Sequence, residues 1–108
     1  MAELDDKVVE LNIAVRPAPD GATLVHLSGE LDSSNAERLN QALSATLAAP
    51  PERLIFDLSE LRFMDSAGIA VLVRAAAAVA TVHFREPSAI VKRLIEVTGL
   101  SNVLRIEQ

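Results

Sequence analysis

The 108 residues carry a formal charge of −5 and are 50% hydrophobic, with no Cys, Trp or Tyr and only Phe56, Phe63 and Phe84 as aromatics. That length suits one compact core of Val, Leu, Ile and Ala, with no room for a second domain. The acidic balance opposes nucleic-acid binding, which needs clustered Lys and Arg; the missing cysteines rule out disulfides and thiolate metal sites; the scarce aromatics leave no stacking platform for bases.

The opening Met1-Ala2-Glu3-Leu4-Asp5-Asp6 is acidic and has no apolar h-region, so no secretory signal is read and the cytoplasm is the expected compartment. Residues 1–7 are expected to be a flexible lead into a single domain spanning 1–108. From Val9 to Val15, Val9, Leu11, Ile13 and Val15 alternate with Glu10, Asn12 and Ala14, the period of a half-buried strand. Pro17-Ala18-Pro19-Asp20-Gly21 breaks regular structure, and Ala22 to Ser28 alternates again, which predicts a hairpin.

After Gly29-Glu30-Leu31-Asp32, the pattern Ser34-Asn35-Ala36-Glu37 matches a capping box, with Ser34 as the cap of a helix. Its apolar stripe is Ala36, Leu39, Ala42, Leu43, Thr46 and Leu47, and Pro50-Pro51 ends it. Leu54-Ile55-Phe56 reads as a central strand covered by helices on both faces, with Asp57-Leu58-Ser59 starting the turn out of it. A second helix is predicted from Ser66 to about Val79, and Thr81 to Phe84 as a strand. The stretch from Ala67 to Val82, interrupted by Arg74, is shorter than the roughly 20 residues that span a bilayer and is expected to pack on protein. A third helix has Pro87 in its first turn, Ile90, Val91, Leu94 and Ile95 as its stripe and Gly99 as its left-handed stop. Leu100 is expected to pack back, and Val103 to Ile106 fits either a fifth strand or an extension over the core. The class is α/β with a mixed sheet.

Candidates for catalysis are thin. His26 and His83 are far apart in sequence with no ligand spacing between them, and no glycine-rich phosphate loop occurs. Ser66 as a hydrolase nucleophile lacks a Gly-x-Ser-x-Gly setting and a general base. Asp32, Asp57 and Asp65 as a metal pocket compete with simpler roles as caps and turn residues. No enzyme, cofactor or metal is therefore expected. The informative segment is Phe63-Met64-Asp65-Ser66-Ala67-Gly68, between a strand and an apolar helix, where Asp65 is placed to cap the helix.

Three ordered blocks give the chain a resemblance to the STAS domain family, in particular the single-domain bacterial anti-sigma factor antagonists. Gly29-Glu30-Leu31-Asp32 resembles the family's first loop, Asp57-Leu58-Ser59 through Gly68 its phosphorylation segment, and Glu96-Val97-Thr98-Gly99-Leu100 its closing helix end. The resemblance implies a mixed β-sheet of four to five strands packed by three to four helices. It implies binding to an anti-sigma serine kinase, release of a sigma factor, and inactivation when that kinase phosphorylates Ser66. A serine phosphatase would reset the switch. Asp32, Asp65 and Gly68 match motif positions at the partner-facing edge. The alternative is a STAS subunit of a transporter or larger signalling assembly in which Ser66 is never phosphorylated. Between Gly68 and Thr81 the chain departs from the family pattern, with Arg74 the lone charge and Ala80 where a glycine turn is usual.

Overall fold

The computed structural model describes residues 10–99 and the backbone of 105–107. Strand β1 (Asn12–Pro17) is followed by a short 3-10 turn over Pro19–Gly21, then strand β2 (Thr23–Leu31) and helix α1 (Ala36–Ala48). Strand β3 (Arg53–Met64), helix α2 (Ser66–Ala78), strand β4 (Thr81–Arg85), helix α3 (Ala89–Val97) and strand β5 (Arg105–Glu107) complete it. The predicted flexible lead at 1–7, Val9 and the packing of Leu100 lie outside the described residues. Of the two options for the C-terminal stretch, the strand is realised, pairing parallel to β4.

The five strands lie in chain order, β1 antiparallel to β2 and every other neighbouring pair parallel. Because the order never reverses, successive right-handed crossovers put all three helices on one side of the sheet. The expected helical cover on both faces of β3 is therefore corrected to one. Burial follows: Val25, Leu27 and Leu31 of β2 are fully covered, whereas Leu24, His26, Ser28 and Glu30 on the other face are only half-buried. On the covered face Phe56 and Phe84, opposite each other in register, stack with ring centroids 5.4 Å apart.

Strand β3 continues well past Phe56, and Asp57-Leu58-Ser59 is strand where a turn was expected. Thr23 pairs with Leu54 and Leu31 with Met64, so 9 residues of β2 face 11 of β3. The two surplus residues enter at irregularities between His26 and Ser28 and between Gly29 and Glu30. Each such bulge shifts the side-chain alternation by one, so the buried residues become Leu58, Leu61 and Met64, three apart instead of two.

The helices follow their apolar stripes with local exceptions. Leu39 and Leu43 of α1 are fully buried, but Ala42 is exposed. Helix α2 buries Gly68, Val71, Leu72 and Ala75, and its exposed positions are Ser66, Arg74 and the alanines 70, 77 and 78. Its apolar character is thus mostly core contact, and its outer face is small. Helix α3 begins at Ala89, beyond the Pro87 expected in its first turn: Ser88 caps it, accepting from the Val91 amide at 3.2 Å, and Pro87 stands before the cap. Val91 and Ile95 are buried, while Ile90 is 58% exposed. Gly99, at φ +77°, is the left-handed stop. Among the described residues no helix is long and apolar enough to cross a membrane.

Candidate functional site

The carboxyl ends of β2 and β3 lie side by side, and the loops leaving them carry the sequence-predicted residues. The β2 loop turns on Asp32. Its Oδ1 accepts from the Ser34 hydroxyl at 2.6 Å and the Ser34 amide at 2.9 Å. These bonds, the hydroxyl's first, hold the Asp32 carboxyl below its usual pKa against a small opposing effect of desolvation. Asn35 locks the same turn from the other side: its Oδ1 accepts from the Asp32 amide and its Nδ2 donates to the Glu30 carbonyl, both at 2.9 Å.

This network corrects the expected capping box. Ser34 lies one residue outside the N-cap, and its hydroxyl donates back to Asp32 in the preceding turn. Helix α1 has Asn35 at its N-cap with no side-chain cap bond, and Glu37 instead accepts from Asn40 Nδ2 at 3.2 Å.

Asp65 ends β3 and opens α2. Its Oδ1 accepts from the amides of Ala67 at 2.9 Å and Gly68 at 3.3 Å, satisfying two of the four free donors at the helix start. Its Oδ2 accepts from the Ser33 amide at 3.2 Å, across 32 residues of sequence. The Asp65 amide also donates to the Leu31 carbonyl at 3.1 Å. One carboxylate thereby ties the Asp32 loop to the N-terminus of α2. Ser66, the first residue of α2, is exposed beside this tie.

Gly68 is buried, and the close approach it permits is internal. A Cβ there would fall 2.7 Å from Leu31 Cγ and 2.8 Å from Met64 Cγ, so the missing side chain is what seats α2 against the ends of β2 and β3. The structure therefore brings Asp32, Asp65 and Ser66 to one edge, with Gly68 beneath them. Sequence reasoning does not single out Ser33, Asn35 or Phe63 at this edge. The Asp-Ser-Ser-Asn run is a signal for a side-chain-locked turn that points to the first two.

Asp57 lies apart, on the half-open sheet face. Its Oδ1 accepts from the Ser59 amide at 3.0 Å and hydroxyl at 2.8 Å. Partial burial works to raise its pKa, but the two Ser59 bonds and the nearby His26 and Arg85 charges together outweigh it and leave the carboxyl below its ordinary 3.8. A depressed folded-state pKa stabilises the fold above the unfolded value, and that contribution disappears as pH falls through the folded one. Asp57→Asn is accordingly expected to melt lower than wild type between about pH 6 and 8, where the contribution is fully present, and to converge with it below about pH 4, checked by melting curves across pH. His26 Nε2 is 3.1 Å from Glu60 Oε1 on the same face. Among the described residues no group of three or more His, Cys, Asp or Glu side chains converges as a metal site would, so Asp32, Asp57 and Asp65 do not form an acidic pocket.

The family model described as "Mlab, STAS domain" matches residues 14–106. BtrV of Bordetella bronchiseptica, a putative anti-sigma factor antagonist by name, is 35% identical over 54 residues, which are 50% of this chain and 47% of BtrV. The anti-sigma-F factor antagonist RsfB of Mycobacterium tuberculosis is 27% identical over 90 residues, covering 81% of this chain and 74% of RsfB. Among solved structures, an anti-sigma factor antagonist from Mycobacterium paratuberculosis superposes with a TM-score of 0.83 at 28% identity, over 90% of this chain and 85% of that one. The Bacillus protein SpoIIAA shares the fold in its unphosphorylated form (TM-score 0.72, 21% identity, 90% and 89% covered) and in its phosphorylated form (0.70, 18%, 90% and 92%).

Proposed function

The chain belongs to the STAS domain family, and from that premise we propose that it is an anti-sigma factor antagonist working as a phosphorylation-controlled binding module. In this proposal the unphosphorylated protein docks on an anti-sigma serine kinase through the Asp32 loop and the start of α2, thereby releasing a sigma factor. The kinase then phosphorylates Ser66, docking ends, and a serine phosphatase restores the first state. The whole chain acts as one domain, in the cytoplasm, and performs no catalysis itself.

The observation that carries the proposal is the Asp65 carboxylate, which joins an exposed serine to a side-chain-locked acidic loop 32 residues away in sequence. A phosphoryl group adds about −1.5 to −2 charge. On Ser66 it would stand beside Asp65, whose Oδ1 already takes the Ala67 and Gly68 amides that would otherwise receive an anion. The added charge is therefore poorly compensated within the edge, and a partner surface built for the neutral serine loses its fit. Because Ser66 is exposed, the core has no stake in the change.

A STAS subunit of a transporter or larger signalling assembly, with Ser66 as an unmodified permanent contact, is the second reading. Incubation with ATP and candidate anti-sigma serine kinases, followed by mass spectrometry, separates the two. Stoichiometric phosphate on Ser66, absent from Ser66→Ala, supports the switch. Absence of phosphate together with stable copurification of a transporter ATPase supports the second reading instead.

A further inference from the structure

Of the three phenylalanines, Phe56 and Phe84 are fully buried and Phe63 is 41% exposed. The cause is the second bulge of β3. With Arg62 as the surplus residue, Leu61 pairs with Gly29 and Phe63 with Glu30, so Phe63 emerges on the open face of the sheet, one pair before Leu31 and Met64 end the ladder. Its register partner Glu30 gives its carbonyl to Asn35, the residue that locks the Asp32 turn. Phe63 thus stands at the rim of the edge that carries Asp32, Asp65 and Ser66. Segments 29–35 and 57–66 hold Glu30, Asp32, Asp57, Glu60 and Asp65 against a single cation, Arg62.

An aromatic ring left half-covered within an acidic edge is the arrangement of an interface anchor. Aromatic side chains at the centre of a contact supply most of its energy, and the surrounding charges set partner choice and encounter rate. We propose that Phe63 is the apolar anchor of the docking surface, inserting into an apolar pocket of the anti-sigma kinase that is rimmed by Lys and Arg. This rests on the function proposed above and extends its surface from the loops around the side of the sheet to the open face beyond Glu30. The occupant is a basic-rimmed protein surface because a net charge of −4 across the two segments, five acids less one Arg, complements cations. Ser66 and Phe63 then divide the work: the ring holds the partner, and phosphate on the serine expels it.

The test measures affinity for the purified anti-sigma kinase that phosphorylates Ser66 by calorimetry, for wild type, Phe63→Ala, Phe63→Gln and Val97→Ala. Val97, 63% exposed at the far end of α3, is the control for a lost exposed apolar group. Phe63→Ala is expected to weaken binding by at least about tenfold, and Val97→Ala by less than about twofold. The Phe63→Ala loss persists at high salt, because it removes apolar contact and not charge. Phe63→Gln, which keeps the reach but not the apolar surface, weakens binding likewise and serves at a temperature where every variant is folded. Wild-type binding with both Phe63 variants unchanged overturns the anchor and leaves the proposed function standing. No binding by wild type overturns both.

Discussion

Gly29→Ala is expected to cost about 3 kcal/mol of folding stability, combining a left-handed backbone penalty with a packing clash of similar size. Gly29 sits inside β2 at φ +95°, a conformation an L side chain rarely adopts. A Cβ there would drive into the carbonyl oxygen of Glu10 and lie 2.8 Å from its carbon and 3.4 Å from Leu11 Cα. Those are backbone atoms of the segment entering β1, so no rotamer change relieves them. Leu11 is 1% exposed and part of the core cluster, so displacing it would open the core. At roughly 4–8 °C per kcal/mol for a domain of this size, the melting temperature should fall on the order of 10–20 °C. Gly21→Ala is the matched control: it has φ +77° but nothing within 4 Å of the methyl that alanine would add, so only the conformational penalty, about 1 kcal/mol, should appear. Equal melting of the two variants would show that the approach of Glu10 to Gly29 is not what limits the site.

Asp65→Ala is the second large effect, because one side chain serves two structures. It removes the N-cap of α2, typically about 1 kcal/mol, and the bond from the Ser33 amide, worth about as much again, so a loss of about 2 kcal/mol is expected. Asp65→Asn separates the two. Its Oδ1 can still accept from Ala67 and Gly68, but its Nδ2 presents hydrogens to the Ser33 amide, itself a donor. The Asn variant should therefore recover most of the helix stability and leave the Asp32 loop untied. Amide hydrogen exchange reads this directly: faster exchange at Ser33 in both variants, and faster exchange at Ala67 and Gly68 in the Ala variant alone. Unchanged exchange at Ser33 in Asp65→Asn would mean that the backbone contacts, not the carboxylate, position the loop.

Much of the fold is legible where one periodicity governs one element. The two-residue alternation through β2 and the three-and-four spacing of Leu39 and Leu43, or of Val91 and Ile95, each mark a single buried face, whereas β1 forms as a strand without the expected buried face: Leu11 just before it is buried, but Val15 is 40% exposed. Legibility fails where two rules overlap. In β3 the bulges convert alternation into the three-residue spacing of Leu58, Leu61 and Met64, which looks like neither a regular strand nor, with Asp57 and Ser59 beside it, anything but a turn. The open sheet face is illegible for another reason: cover on one face or two depends on strand order, which no local pattern carries. At the site, Asp65 as a cap follows from its position before an apolar helix. The place of Ser34 in the Asp32 turn, outside the N-cap, does not, because a capping box and an aspartate-centred turn share the same residue types and only the geometry chooses between them. Nor does the exposure of Phe63, which depends on a single surplus residue, Arg62.

Charge on Ser66 is expected to act on the interface and not on the fold. The most direct measurement is the affinity of the proposed anti-sigma kinase partner for unphosphorylated and stoichiometrically phosphorylated protein, each paired with a melting curve. The expected result is a loss of at least about tenfold in affinity on phosphorylation, with the melting temperature unchanged to within about 3 °C. Equal affinity for the two forms, or a phosphorylated protein that unfolds, would contradict it.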